Sequence, residues 1–544
     1  MTGIALQGWL RPSENADNTA RVAIIALGLV LCLQLALAFT KSINWDEFYH
    51  FSQIHAAWRG EDVGSLLQRP FVPLFSWVPS LGGSNIENIQ LIRSLIIPFE
   101  LLLVGAIVAA ATKFTDFRTA VLCGLAYATA GYAFTQGLAL RADVIAASLV
   151  MTALAVGLHR ELRPATLPIM GVLTALAFVA TIKVVLYLPA FLALVVLRWE
   201  DLKRWIWVAP FAGVLGLGLL ALTMPDALTS LGRTLSGSFD RMFGGGVFPQ
   251  HMHWVRQSAM ASVFTVLLIG FAVWLFKAKS AQKTPLALLA LPALWPAIYF
   301  NSYPYFFAFI LPPVAVALAP VIKIAAKRYG ALALTAIFTL NAVALFLMEP
   351  RSVQTNQAAV QNLVNSAFPE PVAYIDESGM IGDFPRAVPQ FASGWALNNY
   401  LSRGEPIYSQ AIMAQPVPLI LSNSLTLRNA FSDEPIGERL LPKDAALLRD
   451  NYIQQAGIVM VAGKQLDGGS ERVAELVAVP GAYRVEGGAI RIDGHVYEPG
   501  SVVALERQSY DLANTGNSIV TLRWAAAGTP QASDITFLDL YSGY

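Results

Sequence analysis

RVAIIALGLVLCLQLALAFTKSINWDEFYHFSQIHAAWRGE, residues 21–61, decides the fold. Residues 21–39 are apolar almost without interruption, and a bilayer core takes about 20 such residues as a helix. A secretory signal has a shorter apolar region, roughly 7–15 residues, and a small-residue cleavage site. No such site precedes KSINWDE, so the run reads as a retained transmembrane helix. The chain then presents Asp46, Glu47, His50, His55 and Arg59 in one short stretch. Which way these groups face, and what faces the same way, decides what they can do.

The rest of the chain is equally apolar. Of 544 residues, 55% are hydrophobic and 13% charged, against about 25% charged in soluble domains. This excludes a large soluble enzyme and implies a polytopic α-helical membrane protein. A net charge of +1 offers no field for nucleic acid. Cys32 and Cys123 both lie inside apolar runs and read as core packing, with no disulfide framework or zinc-finger spacing.

About eleven runs before residue 350 read as membrane helices. They cover roughly 20–40, 88–112, 117–136, 142–158, 166–182, 184–198, 205–223, 258–276, 284–300, 304–322 and 330–348. The stretch from Pro168 to Leu197 is too long for one helix and carries Lys183 in its middle. Two short helices meeting at a membrane surface avoid burying that charge. Basic residues then assign the sides. With a cytoplasmic N-terminus, the cytoplasmic segments hold Arg11 and Arg21; Lys113 and Arg118; Arg160 and Arg163; Arg198, Lys203 and Arg204; Lys277, Lys279 and Lys283; and Lys323, Lys327 and Arg328. The opposite turns are long and mixed (41–87 and 224–257) or nearly bare. This positive-inside pattern puts the C-terminus in a periplasm-like space, and a bacterial inner membrane is the expected location.

A transmembrane domain is therefore expected over 1–349. Beyond it, VAYID, LILSN and IVMVAG read as short buried strands. ALNNYLSRG and DAALLRDNYIQQAG read as helices ending at glycine, giving a small α/β domain over 350–463. The alternating segments from YRVEGGAIRIDGHVYEPG to SIVTLRWA, with turns at Gly-Gly, Asp-Gly and Pro-Gly, predict a β-rich, sandwich-like domain over 464–544.

With the sides assigned, polar residues of the apolar half collect at the outer surface. Asp46, Glu47, His50 and His55 lie in the first outer loop, and Arg141 and Asp143 at the outer end of the fourth helix. Lys183 sits at the next outer turn. Asp240, Arg241, His251, His253 and Arg256 lie in a later loop, and Asn301, Tyr303 and Tyr305 beyond it. Carboxylates suit general-base work. Arginine and lysine suit a phosphate. A base beside a phosphate site, half in lipid, suggests a substrate linked to a lipid phosphate.

These residues carry a resemblance. INWDEFYHFSQIHAAWRGE resembles the Asp-Glu segment in the first outer loop of the GT-C glycosyltransferases, in particular the protein-mannosyltransferase and aminoarabinose-transferase branch. LRADVIAASLVMTAL, ALAFVATIKVVLYLPAFLALVV and YPYFFAFILPPVAVAL resemble later segments of that branch, over roughly residues 20–350. The resemblance implies a polyprenyl-phosphate sugar donor, a glycan, lipid or protein acceptor, and transfer with inversion. It implies Asp46 as base, with Glu47 as a supporting or acceptor-binding group. Arg141, Lys183 and Arg241 become candidates for the donor phosphate. Asp143, His50, His55, Tyr303 and Tyr305 become candidates for substrate contact.

Plainer readings stand beside these. The acids can cap the loop helix, and the cations can pair with them. Polar loop histidines are the simpler account of His50, His55, His251 and His253, although a shared strand face for the last two leaves a divalent ion open as cofactor. Trp45, Phe48, Tyr49, Phe51 and Trp58 fit an amphipathic helix from about Asp46 to Trp58 lying on the membrane. Rival functions are a lipid-linked-sugar transporter or flippase, and an oligosaccharide ligase or polymerase. A transporter is expected to carry ionisable groups or broken helices near the midplane.

Overall fold

The computed structural model describes residues 14–61, 63, 71–159, 166–201, 207–223, 243–389, 394–431, 439–470 and 473–541. From Val22 onward the first helix, α1 (Glu14–Thr40), is apolar almost all round, so it suits a bilayer rather than water. The chain turns and enters α2 (Trp45–Trp58), a short α3 (Val72–Phe75), and α4 (Asn85–Ala111). Ser84 and Glu87 cap the start of α4 reciprocally. Asp116 caps α5 (Phe117–Ala128), which breaks at Gly131 (φ +53°) before a short α6 (Tyr132–Gln136). The most enclosed span is α7 (Ala142–His159), whose window is 78% buried. It packs against α4 and α8 (Thr166–Ala180). A 3-10 turn, Ile182–Tyr187, joins α8 to α9 (Leu188–Leu197), so the two short helices form, but Lys183 between them is buried and paired with Asp143 rather than left at a membrane surface.

Among the described residues, α1, α4, α7 and the helical stretch Ala331–Ala367 are long and apolar enough to cross a membrane. Two further pairs reach that length together but are bent: His251–Met260 with Ser262–Lys277 by 98°, and Pro304–Ala317 with Ala319–Tyr329 by 66°. The second bend has a direct cause, since Pro320 lacks the amide that would continue the preceding helix. Proline also alters the run expected as one helix over 284–300. Helix Lys283–Ala290 gives way to 3-10 turns over Leu291–Ala297, where Pro292 and Pro296 remove two donors. The remaining expected runs coincide with shorter apolar helices. The chain is a multi-pass membrane protein.

Beyond helix Ser352–Ala367 the described residues form eleven strands: β1 (Tyr374–Ile375), β2 (Leu419–Leu421), β3 (Tyr452–Ala456), β4 (Val459–Leu466), β5 (Val473–Leu476), β6 (Gly481–Glu486), β7 (Ile490–Ile492), β8 (His495–Tyr497), β9 (Val502–Leu505), β10 (Ser509–Ala513) and β11 (Val520–Trp524). One sheet runs β1-β2-β4-β11-β6-β9, with β3 also on β4, and a second runs β5-β10-β7-β8. β1 and β2 pair in parallel. Because β4 pairs with β2, β3 and β11, one sheet passes through position 463, where two domains were expected to meet. DAALLRDNYIQQAG also divides. Its first part is helix Pro442–Asn451, but Tyr452–Ala456 is β3, turned back onto β4 at Gly457 (φ +50°). Asp493 and Gly494, at φ +47° and +86°, make the tight turn between β7 and β8.

The first of these sheets does not hang free of the helices. A single apolar core contains Leu37 and Phe48 together with Val360, Tyr374, Leu419 and Val459.

Candidate active site

The site starts where the chain leaves α1. Asn44 caps α2: its Oδ1 accepts from the Glu47 amide at 3.0 Å, and Glu47 Oε2 accepts from the Asn44 amide at 3.1 Å. Glu47 also takes two bonds from Arg93 of α4, at 2.7 and 2.5 Å, and one from the Leu140 amide at 2.7 Å. Arg93 reaches on to the carbonyls of Lys41 (2.8 Å) and Ser42 (2.9 Å). Glu47 thus welds α1, α2, α4 and the turn before α7 together. Burial opposes its charge, but Arg93 and the amide donors win, and the carboxyl is held below its usual range. It is fully buried, with its oxygens taken up by Arg93, the Asn44 amide and the Leu140 amide.

Asp46 points elsewhere. Its carboxylate accepts from Arg141 Nη1. Arg141 Nε donates to Asp143 Oδ2 at 3.0 Å, and Lys183 Nζ donates to Asp143 Oδ1 at 2.7 Å. Acid and base alternate along this row, and the four charges sum to zero. The Arg141 guanidinium lies 3.2 Å from the centre of the Tyr305 ring, and Lys183 Nζ lies 4.9 Å from it. Tyr303 stacks on Tyr305 at 6.1 Å, and burial and the Asp46 charge raise its phenol above the ordinary value. Side chains of Arg141, Asp143 and Lys183 are 9%, 5% and 4% exposed, against 29% for Asp46. Asp46 is therefore the open end of a buried ionic row.

Five expected residues meet here: Asp46, Arg141, Asp143, Lys183 and Tyr305, with Tyr303 beside them. His50 sits one turn beyond Asp46, its ring 5.1 Å from Phe71. His55 departs from expectation. It lies about 13 Å further along the helix axis, packed edge-on to Phe51 and Trp58. Burial pushes it down to about 4, against the pull of Asp383. It packs where α2 meets the 376–384 loop, away from the ionic row. Arg241 lies outside the described residues.

His251 and His253 lie on helix His251–Met260, not on a strand. Two residues apart on a helix, they point about 200° apart and share no face. His253 lies 5.5 Å from Tyr303. Among the described residues, no group of three or more His, Cys, Asp and Glu is placed to hold a metal ion. The amphipathic helix was expected on the membrane surface. It forms, as Trp45–Trp58, but Phe48, Phe51 and Ile54 are buried in the common core, leaving Trp58 half-exposed.

Two charged residues escaped the sequence reading. Arg93 and Glu100 both lie in α4 and both are buried. Each is a charge inside an apolar run, which is itself a signal. Glu100 Oε1 lies 3.5 Å from Gln34 Nε2 of α1. So the ionisable groups of the apolar half do not all gather in the ionic row.

The fold resembles that of solved membrane proteins of the GT-C type. Among solved structures, the chain is similar to ArnT, an aminoarabinose transferase, from Cupriavidus metallidurans bound to undecaprenyl phosphate. The TM-score is 0.54 at 12% identity, covering 73% of this chain and 92% of that one. The apo form of the same enzyme gives 0.51, again at 12% identity and with the same coverage. The Archaeoglobus fulgidus oligosaccharyltransferase in complex with zinc and sulfate aligns over 94% of this chain and 100% of its own, at 10% identity and a TM-score of 0.48. No family model matches the sequence, and no curated protein matches it.

Proposed function

We propose that the chain is a membrane glycosyltransferase. It moves a sugar from a polyprenyl-phosphate donor to an envelope acceptor at the outer face of a bacterial inner membrane. In this reading the N-terminus is cytoplasmic and residues beyond 350 are periplasmic. The observation that carries it is Asp46, a partly exposed carboxylate at the end of the row Arg141, Asp143, Lys183, on a GT-C-like fold.

Asp46 takes the proton of the acceptor hydroxyl as its oxygen attacks the sugar's anomeric carbon. A placed base contributes about 10²–10⁴-fold. The bond to the phosphate oxygen breaks on the opposite face, so configuration inverts and lipid phosphate leaves. Arg141 and Lys183, with Arg241 as a further candidate, stabilise the charge gathering on that oxygen. Asp143 bonds both cations and fixes their direction. Tyr305 supports them from below, and Tyr303 lines the opening with His50 nearby. Glu47 holds the helix that carries Asp46.

The test is transfer by the purified protein in lipid, using labelled undecaprenyl-phosphate pentoses and hexoses with envelope extract as acceptor. Transfer by the wild type and its loss in Asp46→Asn support the reading. Wild-type transfer by Asp46→Asn removes Asp46 as base. Donor binding without turnover favours a flippase.

A further inference from the structure

We propose that Gln357, in the helix that begins the outer region, is a positioning residue for Asp46. This deepens the reading of Asp46 as base and rests on it. Asp46 is the second residue of α2, so its direction follows from how the chain turns between Thr40 and Trp45. From the membrane side, Arg93 holds that turn through the Lys41 and Ser42 carbonyls. From the outer side, the Gln357 carboxamide holds both backbone groups of Ile43. Its Oε1 accepts from the Ile43 amide at 3.0 Å, and its Nε2 donates to the Ile43 carbonyl at 2.7 Å. The same Nε2 donates to the Leu540 carbonyl at 2.7 Å. Gln357 and Ile43 are both completely buried, so water cannot replace these bonds.

The grip continues along α2. Trp45, beside Asp46, has its ring 5.3 Å from that of Tyr541. Gly379 lies in the left-handed region (φ +76°) where the 376–384 loop presses on Phe48 and Ser52, and a Cβ there would collide with Ser52. Asn85 Nδ2 donates to Asp383 at 2.6 Å, and Arg59 Nη1 to the Asp383 carbonyl at 3.2 Å. The outer region therefore clamps the helix that carries the base. Its first task is geometric: it sets where the Asp46 carboxylate points relative to Arg141.

A misplacement of about 1 Å can cost on the order of 10²-fold in rate. Gln357→Met keeps the volume and removes all three bonds. Gln357→Glu keeps an acceptor for the Ile43 amide. Both are compared with wild type and Asp46→Asn as full-length protein in lipid nanodiscs. The readouts are kcat and KM with labelled undecaprenyl-phosphate sugars, binding of undecaprenyl phosphate, and hydrogen exchange over residues 41–50.

Gln357→Met is expected to lower kcat per folded molecule about 10- to 100-fold. KM and undecaprenyl phosphate binding stay within about twofold, and exchange over 41–50 quickens at least tenfold. Gln357→Glu recovers part of the rate. A purely structural role would lower the folded yield and leave kcat per folded molecule unchanged. Wild-type kcat and exchange in the folded variants overturn the proposal, and where only Gln357→Glu folds, its kcat and exchange decide. Undiminished turnover in Asp46→Asn overturns the base assignment instead, separating the two failures.

Discussion

Replacing Arg93 by methionine breaks the ion pair on which α2 rests. Arg93 and Glu47 side chains are 3% and 0% exposed, and removing one partner of a buried pair costs about 3–5 kcal/mol. The upper end is expected, because the Lys41 and Ser42 carbonyls lose their donor as well. The pH dependence is more telling than the size. In the wild type Glu47 is held below its ordinary 4.5. Its stabilisation is full above that pH and fades as pH falls through the lower native value. In Arg93→Met, burial acts without its main opponent and pushes the carboxyl above 4.5. The native state then binds more protons than the unfolded one, so stability declines as pH rises from about 4.5 towards neutrality. Denaturant unfolding in detergent between pH 4 and 8 measures both. A cost below about 1 kcal/mol, or an unchanged pH slope, would refute the role given to the pair.

Further outcomes follow from the same geometry. Asp46→Asn lowers transfer by about 10²–10⁴-fold while leaving unfolding within about 1 kcal/mol, since its side chain is partly exposed; paired activity and unfolding assays check this. Arg141→Lys keeps the charge but cannot span Asp46 and Asp143, so kcat/KM falls about 10- to 100-fold. Tyr305→Phe keeps the ring beneath Arg141 and stays within about threefold of wild type, whereas Tyr305→Leu loses about tenfold in kcat/KM. His55, held down to about 4 from 6.5, destabilises the fold as pH drops from 6.5 through 4. His55→Leu flattens that slope and leaves transfer at pH 7 within about twofold, because His55 does not join the ionic row.

Much of the molecule is legible in the sequence because the signals are local. Apolar run length marks the helices, and the polar burst at 43–61 marks α2 almost to the residue. Lys183 marks the turn between α8 and α9, although it is buried there. Turn glycines place the β7–β8 hairpin. Local signals fail where distant pairing decides. Tyr452–Ala456 continues a helical pattern yet forms β3, because β4 offers it a partner. His55 looks like a site residue until its neighbours are known.

The sequence by itself determined a multi-pass membrane chain with an acidic pair at the exit of its first helix. Asp46 and Glu47 have the same chemistry, and locally only the capping box between Asn44 and Glu47 tells them apart. The tertiary structure separates them. A helix turns about 100° per residue, so adjacent carboxylates face different partners. One faces Arg93, 46 positions along the chain, and is sealed in the core. The other faces Arg141, 95 positions along, and keeps an edge open. The outer clamp is more remote still, with Gln357 meeting Ile43 across 314 positions. Such partners are chosen when packed helices and sheets bury charges and backbone groups that must find a complement or pay the cost of desolvation.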